Sequence, residues 1–478
     1  MGEAVRVLEK PQAWSEAYSP EEIREMGYRA IDRWVEQVTP VLTGSSPPDL
    51  LRISKEFMRT RNELTASLLK ALIGQMYREE IERLYAPCPD CGKMLARKRV
   101  DRKRISTMLG ELEIARAYFH CARCRRGFHP LDRTLGLATG AHQYDVQEKV
   151  TCLAADLPYA TAAEHFERLT GVSATEHFQH DTLNAIGAEA TLEAVIPQAA
   201  EIEARITEAE QTGSRWRPVL VVSADGAMAP IRPPGKRKEK RGAGSWQEVK
   251  GVRIYLIGGD ARIIQLVSWH RRAESCELKK DLRWIADRIP KDRVRIALVG
   301  DGADWVWNIL TAAFPKARQV LDYYHCSQHI HAVARAQFGE TVAGWQWAEA
   351  QLTCLYLGEV QRVIEGLQEL RAEGSPADDD IRKLIRYLID HEERVDYGAA
   401  KRSGSPRGSG AMESANKFIC QVRLKRPGAW WLAQNSEAML RIRCAIFNGT
   451  FDRVFARYME RQALKRRAPR SAVPNSES

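Results

Sequence analysis

The stretch "RPVLVVSADG", residues 217–226, decides the fold class: its β-branched, apolar run predicts a buried strand that ends in Asp225 and Gly226. A second such stretch, "RVRIALVGDG" at 293–302, ends in Asp301 and Gly302. Three more segments have strand patterns, namely "WQEVKGVRIYLIGG", "ARIIQLVSWH" and "ARQVLDYYH", and helical patterns run over 274–289 and from Ala303. Three strands, a helix, a strand, a helix and a strand predict a mixed α/β sheet.

The acid at the end of each strand matters because strand ends converge at one edge of a sheet. A single Asp-Gly pair is only a turn signal. Two such pairs gain weight from a later helical acid, Glu413, in "RGSGAMESANKFICQVRLKRPGAWW" at 407–431. Three carboxylates brought together would repel one another unless they held divalent cations, and their oxygen ligands suit Mg²⁺ or Mn²⁺. We therefore expect Asp225, Asp301 and Glu413 to form a magnesium site.

The composition favours an anionic partner. The chain has 478 residues, and Lys+Arg 72 against Asp+Glu 62 gives a net charge of +10, which points to nucleic acid. No apolar run is long enough to span a bilayer, and the N-terminus "MGEAVRVLEKPQAW" lacks a signal-peptide pattern. We expect a cytoplasmic protein without a membrane partner.

Two CxxC motifs give the strongest local signal. "CPDC" at 88–91 and "CARC" at 121–124 each present a pair of thiolates to one tetrahedral site, which suits a closed, structural zinc ion held by Cys88, Cys91, Cys121 and Cys124. Four unligated cysteines are the alternative. The segment between them turns at Leu109-Gly110 and is rich in cations, which face either a phosphate backbone or solvent.

The remaining N-terminal sequence is helical. We divide it into a helical region at 1–86, whose first helix has Ser19 as its predicted cap, a zinc ribbon at 87–130 and a helical region at 140–210. The last of these has the pattern helix, Gly turn, helix, which is typical of a helix-turn-helix but also of ordinary packed helices. The first helices are scaffold or dimerisation elements, and the sequence does not decide between these roles.

The ordered series of motifs resembles a known family. The segments "VVSADGAMAP", "WQEVKGVRIY", "ALVGDGADWVWNILTAAFPKARQVLDYYHCSQHI" and "GSGAMESANKFICQVRLKRPGAWW", preceded by the two CxxC motifs, are similar to the ISKra-type bacterial insertion-sequence transposases. These belong to the wider Mutator-like group of DDE transposases, which have an RNase H-like catalytic core. The similarity runs from about Cys88 to Phe455.

The resemblance implies a DNA transposase that uses Mg²⁺ or Mn²⁺ to cut the ends of its element and join them to target DNA. It places Asp225, Asp301 and Glu413 on the catalytic triad, with Asp322 and His325 as a supporting D-x2-H pattern. The RNase H-like core then occupies 215–327 and 406–458, interrupted by a helical insertion at 328–405, and a basic disordered tail follows at 459–478. Terminal inverted repeats, target DNA and further copies of the chain are the expected partners, in a bacterial, nucleoid-associated protein.

Six cations are candidate DNA contacts. They are Lys236, Arg237 and Lys238 in the loop "RPPGKRKEKRGAGS", and Arg423, Lys425 and Arg426 beside Trp430 and Trp431. A solvated linker is the alternative for the loop.

Several other residues have a plain explanation. We expect Asp304 to be a surface acid rather than a reserve ligand, and Trp345 and Trp347 to lie in the core of the insertion. His325 and His329 are four residues apart and either bind a metal or are ordinary hydrogen-bonded helix histidines. Two other functions remain open: a non-catalytic DNA-binding protein on the same fold, and a metal-dependent nuclease that cuts without joining.

Overall fold

The computed structural model describes residues 20–43, 48–212, 216–234, 244–372 and 377–467. The chain divides into two units, Met1–Thr182 with Ala456–Ser478, and Leu183–Phe455. Within the described ranges, no helix has the length and apolar character needed to cross a membrane.

The first unit begins with three helices, α1 (Pro20–Leu42), α2 (Leu50–Met76) and α3 (Arg78–Glu82). The predicted cap of α1, Ser19, lies outside the described residues. α2 has a side-chain cap, because Asp49 accepts a hydrogen bond of 2.7 Å from the backbone N–H of Arg52.

The two CxxC motifs lie in a small region of antiparallel strands. Strands β1 (Tyr85–Pro87) and β2 (Met94–Ala96) pair with each other, and a three-stranded sheet has the order β3-β4-β5. Its strands are β3 (Arg99–Thr107), β4 (Gly110–Cys121) and β5 (Arg126–Phe128). The predicted turn is present: Gly110 starts β4 with a φ of +112°, which favours glycine.

Helices follow the ribbon. They are α4 (Pro130–Thr134), α5 (Tyr144–Asp156), α6 (Tyr159–Thr170), α7 (Glu176–Glu189), α8 (Leu192–Val195) and α9 (Ala199–Glu210). α6 ends at Gly171, whose left-handed φ of +71° lets the chain turn toward α7. Val146 and Val150 of α5, Phe166 of α6 and the turn residues Val172 and Ala174 form one buried cluster, so this pair of helices is well packed.

A mixed sheet forms the centre of the second unit, as the sequence predicts. Its strands are β6 (Val219–Arg232), β7 (Ser245–Ile257), β8 (Ile263–Arg271), β9 (Arg295–Gly300) and β10 (Arg318–Leu321), in the order β10-β9-β6-β7-β8. β6, β7 and β8 are antiparallel neighbours, whereas β9 lies parallel to β6 and β10 parallel to β9. The connections from β8 and β9 contain α10 (Ser275–Ala286) and α11 (Asp304–Ala313). The buried apolar runs of β6 and β9 account for their central positions.

The first strand is longer than predicted. The sequence pattern predicts an end at Asp225 and Gly226, but β6 continues to Arg232 because it pairs with β7 as far as Ile231. Asp225 therefore lies within a strand, at the point where the pairing with β9 has stopped.

The helical insertion begins earlier than predicted. α12 (Tyr323–Phe338) starts directly after Asp322, which caps it, and is followed by α13 (Val342–Leu357), α14 (Val360–Ala372), α15 (Asp378–Asp390) and α16 (Tyr397–Arg402). One core assignment was wrong: Trp345 is 61% exposed, so it lies on the surface of the insertion.

The chain then returns to the sheet. α17 (Gly410–Ala415) continues through a π-helical turn, Asn416–Gln421, into α18 (Val422–Leu424). β11 (Trp431–Leu432) pairs in parallel with the end of β6, and α19 (Ala433–Asn448) packs against β8. α20 (Phe451–Arg467) is helical through Arg467, so the first part of the predicted disordered tail is in fact helix. Tyr458 anchors it within the first unit, since its Oη donates a 2.9 Å hydrogen bond to Gln147.

Candidate active site

The register between two parallel strands brings Asp225 and Asp301 together. Ser223 of β6 pairs with Val299 of β9, and its Oγ donates a 2.9 Å hydrogen bond to the Val299 carbonyl. Each aspartate follows its paired residue by two positions, so the same 76-residue offset places one opposite the other. Since neighbouring strands lie about 4.8 Å apart, their carboxylates share one edge of the sheet.

The environment of Asp225 disfavours a bare negative charge. Burial raises the pKa of Asp225 to about 6, and the neighbouring charge of Asp301 adds to this shift. Hydrogen bonds from the Gly226 N–H, at 2.6 Å, and from Asn416 Nδ2, at 2.7 Å, act in the opposite direction, as does the charge of His325. A cation held by the two carboxylates would offset both the cost of burying their charge and their mutual repulsion.

The loop that carries Asp301 is fixed by the helical insertion. Asp301 Oδ1 accepts a 3.1 Å hydrogen bond from the Ala303 N–H, and its backbone carbonyl accepts one of 2.9 Å from Tyr387 Oη on α15. Gly302 has a φ of +102°, and a Cβ there would lie 2.8 Å from the Tyr387 ring, so only glycine fits. The insertion thus contributes a side chain that positions a predicted site residue.

A third acid, Asp322, follows the parallel strand β10 at the same edge, but its carboxylate is already engaged. It is fully buried, and its Oδ1 caps α12 by accepting a 3.0 Å hydrogen bond from the His325 N–H. Its Oδ2 accepts a hydrogen bond from the Ser409 N–H, which fixes the loop just before α17. The structure thus gives Asp322 a structural role, while the half-buried His325 lies close enough to Asp225 to lower its pKa.

Glu413 lies on a helix that packs beside Asp225 without joining the two aspartates. Its side chain is exposed, and its Oε1 accepts a hydrogen bond of 3.4 Å from Ser409 Oγ. Its buried neighbour Met412 lies against Gly251, the β7 residue that pairs with Asp225. In the described part of the chain, only the four cysteines bring three or more His, Cys, Asp or Glu ligand atoms within 4.8 Å of one another. The carboxylates of Asp225, Asp301 and Glu413 therefore do not all lie within 4.8 Å of one another.

Two residues that the sequence pattern does not single out, Asn416 and His270, complete the surroundings of Asp225. Asn416, which bonds its carboxylate, is 2% exposed and lies three positions after Glu413. His270, at the end of β8, is fully buried, and burial lowers its pKa to about 4. The one available signal was a polar residue on an otherwise apolar helix face, which is too common to single out Asn416.

The π-helical turn around Asn416 is held by a buried arginine. Arg443 on α19 is 1% exposed, and its Nε donates hydrogen bonds of 2.9 and 3.0 Å to the carbonyls of Phe418 and Ile419. A π turn leaves carbonyls without regular α-helical partners, and the guanidinium satisfies them. This contact fixes the turn that carries Asn416.

The four cysteines form a second candidate site. Their sulfur atoms all lie within 4.8 Å of one another, and the Sγ atoms of Cys91 and Cys121 are 3.8 Å apart. A tetrahedral zinc ion with Zn–S bonds of about 2.3 Å holds its sulfurs about 3.8 Å apart, so this cluster fits a closed structural zinc site. Gly92, with a φ of +70°, forms the tight turn of the first motif.

The candidate DNA contacts differ in accessibility. Lys236, Arg237 and Lys238 lie outside the described residues. Arg423 does not lie on the surface as expected, because it is 4% exposed and its guanidinium lies 4.9 Å from the centre of the Trp431 ring. Lys425 is exposed, with its Nζ 5.9 Å from the centre of the Trp246 ring, and Arg426 Nε donates to the Val422 carbonyl at 3.0 Å.

Comparisons with known proteins point to one family. Residues 50–462 match the Uncharacterised protein family (UPF0236). A "UPF0236 protein in vanSb 3'region" of Streptococcus gallolyticus is 24% identical over 376 residues, which cover 74% of each chain. Among solved structures, the Drosophila P element transposase strand transfer complex aligns with 67% of this chain and 81% of its own chain, at 9% identity and a TM-score of 0.23. At that score the similarity carries no structural argument.

Proposed function

This chain belongs to the UPF0236 family, and we propose that it is a DNA transposase with an RNase H-like core, which cuts the ends of its own insertion sequence and joins them to target DNA. One observation carries the proposal: Asp225 and Asp301 lie side by side at the edge where parallel strands β6 and β9 end their pairing. Ligand sites of open α/β sheets typically occupy this edge.

The donor set at this edge fits a divalent cation. Two adjacent carboxylates are hard oxygen donors, and Mg²⁺ is commonly bound through one or two carboxylates together with phosphate oxygens. When bound, the cation would make an attacking water or 3′-hydroxyl more acidic and offset charge on the phosphate.

The chain's own residues would act as follows. Asp225 and Asp301 hold the cation, while Asn416 and the Tyr387-bound loop fix where these carboxylates lie. Glu413 would supply a third ligand from α17, the helix that packs against β6 and β7. His325 would support the site as a close neighbour of Asp225. The net charge of +10 and exposed cations such as Lys425 bind the DNA backbone.

A strand-cleavage assay on DNA carrying the element's ends tests the proposal. We expect Asp225→Asn, Asp301→Asn and Glu413→Gln to bind the ends normally but to lose cleavage and joining by at least about a thousandfold, because each removes a charge that acts only in the reaction. Asp304→Asn is the matched control, since Asp304 is an exposed acid one turn from Asp301. Equal activity in all four variants would contradict the proposal.

A non-catalytic DNA-binding protein is the second candidate, and one observation favours it: Glu413 is exposed and stands outside the aspartate pair. The same assay separates the possibilities. End binding without cleavage by the unmodified chain supports the non-catalytic protein, and cleavage without joining supports a nuclease. Short inverted repeats beside the reading frame support the transposase.

A further inference from the structure

A buried chain of hydrogen bonds leads from the core of the second unit to Asp225. Asn416 Nδ2 donates to Asp225 Oδ2 at 2.7 Å, and Asn416 Oδ1 lies 2.9 Å from His270 Nε2. Asn416 is 2% exposed and His270 is fully buried, so the bond between these two residues is shielded from water, whereas the bond to Asp225 is partly buried.

The chemistry of the three groups fixes the direction of each bond. An ionised carboxylate only accepts, so the Asn416 amide nitrogen must face Asp225 and its oxygen must face His270. That oxygen also only accepts, so the proton of the neutral His270 ring must be on Nε2. Nδ1 is then the unprotonated nitrogen, and it lies 4.0 Å from Cys444 Sγ. Rotating the Asn416 amide by half a turn would oppose two acceptors at one end and two donors at the other.

The surrounding residues pack closely against this arrangement. Gly251 pairs with Asp225 across β6 and β7, and a Cβ at Gly251 would lie 2.3 Å from the His270 ring. On the other side, Arg443 holds the π turn that begins at Asn416. These contacts restrict the imidazole and the turn that carries the amide, as a supporting shell around a reactive group requires.

We propose that Asn416 is a positioning residue that fixes the Asp225 carboxylate for cation binding, and that His270 fixes the Asn416 amide. This inference rests on the proposed function. Because Asn416 follows Glu413 on one continuous helical segment, the same amide also ties the helix of the third predicted ligand to the strand of the first. A change at Asn416 therefore weakens the site without removing any ligand.

The test measures Mn²⁺ affinity of the full chain by electron paramagnetic resonance, with Asp225→Asn defining the signal that belongs to this site. Asn416→Ala should weaken that Mn²⁺ binding about tenfold, as loss of an outer-shell partner of a metal ligand commonly does. The Mn²⁺ concentration for half-maximal cleavage should rise by the same factor, whereas the rate at saturating Mn²⁺ should recover. Gln421→Ala, an exposed change in the same π turn, is the matched control and should leave both values unchanged.

Changes at His270 test the second part. His270→Gln retains a nitrogen donor toward Asn416 and should bind Mn²⁺ nearly as well as the unmodified chain, whereas His270→Leu removes the donor and should weaken binding several-fold. Asn416→Ser, whose hydroxyl is too short to span the bond to Asp225, replaces the alanine variant if that one does not fold. If folded Asn416 variants bind Mn²⁺ as tightly as the unmodified chain does, the role of Asn416 is overturned while the proposed metal site stands. Absence of any binding that depends on Asp225 overturns the proposed metal site, and the inference with it.

Discussion

Acid should destabilise the sheet unit through His270. Burial lowers the pKa of this fully buried imidazole from 6.5 to about 4, whereas in the unfolded chain the ring takes up a proton near pH 6.5. Between these values the unfolded state binds more protons than the folded state, so the free energy of unfolding falls as the pH falls. The stabilisation is fully present above pH 6.5 and is lost as the pH falls toward 4.

The expected loss of unfolding free energy follows from the two pKa values of His270. With pKa values of 6.5 unfolded and about 4 folded, lowering the pH from 7.0 to 4.5 costs about 2.4 kcal/mol at this one group. That is a large share of the stability of a typical domain. Other groups titrate over the same range, so the prediction concerns the difference between two proteins.

The assay compares urea unfolding of the unmodified chain and His270→Gln at both pH values. Pulsed hydrogen exchange of peptides from β6 and β9 makes the signal specific to the sheet unit. The unmodified chain should lose about 2.4 kcal/mol more than the variant, because glutamine keeps the donor to Asn416 but does not titrate. Equal losses, within about 0.5 kcal/mol, would refute the argument that the folded sheet excludes a charged His270.

Three further changes have defined outcomes. Metal analysis should find about one zinc per unmodified chain and none in Cys91→Ser, whereas Cys276→Ser, at an exposed cysteine outside the cluster, should retain the zinc. A fully folded protein without zinc would contradict the proposed zinc site. Neutralising the three cations at 236–238 should weaken DNA binding at all sequences and reduce the slope of log affinity against log salt by up to about 2.7; an unchanged slope would indicate a solvated linker. Gly251→Ala should destabilise the sheet unit by about 1–3 kcal/mol in denaturant titrations, because the new Cβ would meet the His270 ring. Gly410→Ala is the control: its new Cβ meets no neighbouring group within 4 Å, so stability should change by less than about 0.5 kcal/mol.

The features that the sequence predicted well are those with a local pattern. The runs "VLVV" and "IALVG" predict buried central strands, and the two CxxC motifs predict the four-cysteine cluster. The proximity of Asp225 and Asp301 was also predictable, because both acids follow short apolar runs of similar length. These inferences depend on neighbouring residues in the chain or on the regular spacing of parallel strands.

The features that the sequence did not predict depend on contacts between distant segments. His270 and Asn416 meet although 146 positions separate them, and nothing near either residue indicates the other. Arg423 was expected to contact DNA because it is a cation in a basic stretch, but packing against Trp431 buries it. β6 exceeds its predicted length because its partner β7 supplies hydrogen bonds past the Asp-Gly pair. In each case tertiary packing decided what local preference left open.

The two ends of the helical insertion lie next to each other where it leaves and re-enters the sheet unit, and this affects how the insertion can evolve. Its two ends are joined, since the Tyr323 N–H donates to the Arg407 carbonyl at 2.8 Å and the Ser409 N–H donates to Asp322. A segment whose ends already touch can lengthen, shorten or be exchanged between relatives without stretching the core, because loop-closure entropy changes only slowly with length. Tyr387 limits that freedom, because it reaches out of the insertion to hold the Asp301 loop. Relatives with shorter insertions should therefore retain a hydroxyl donor at this place, or carry a different turn after the second acidic strand.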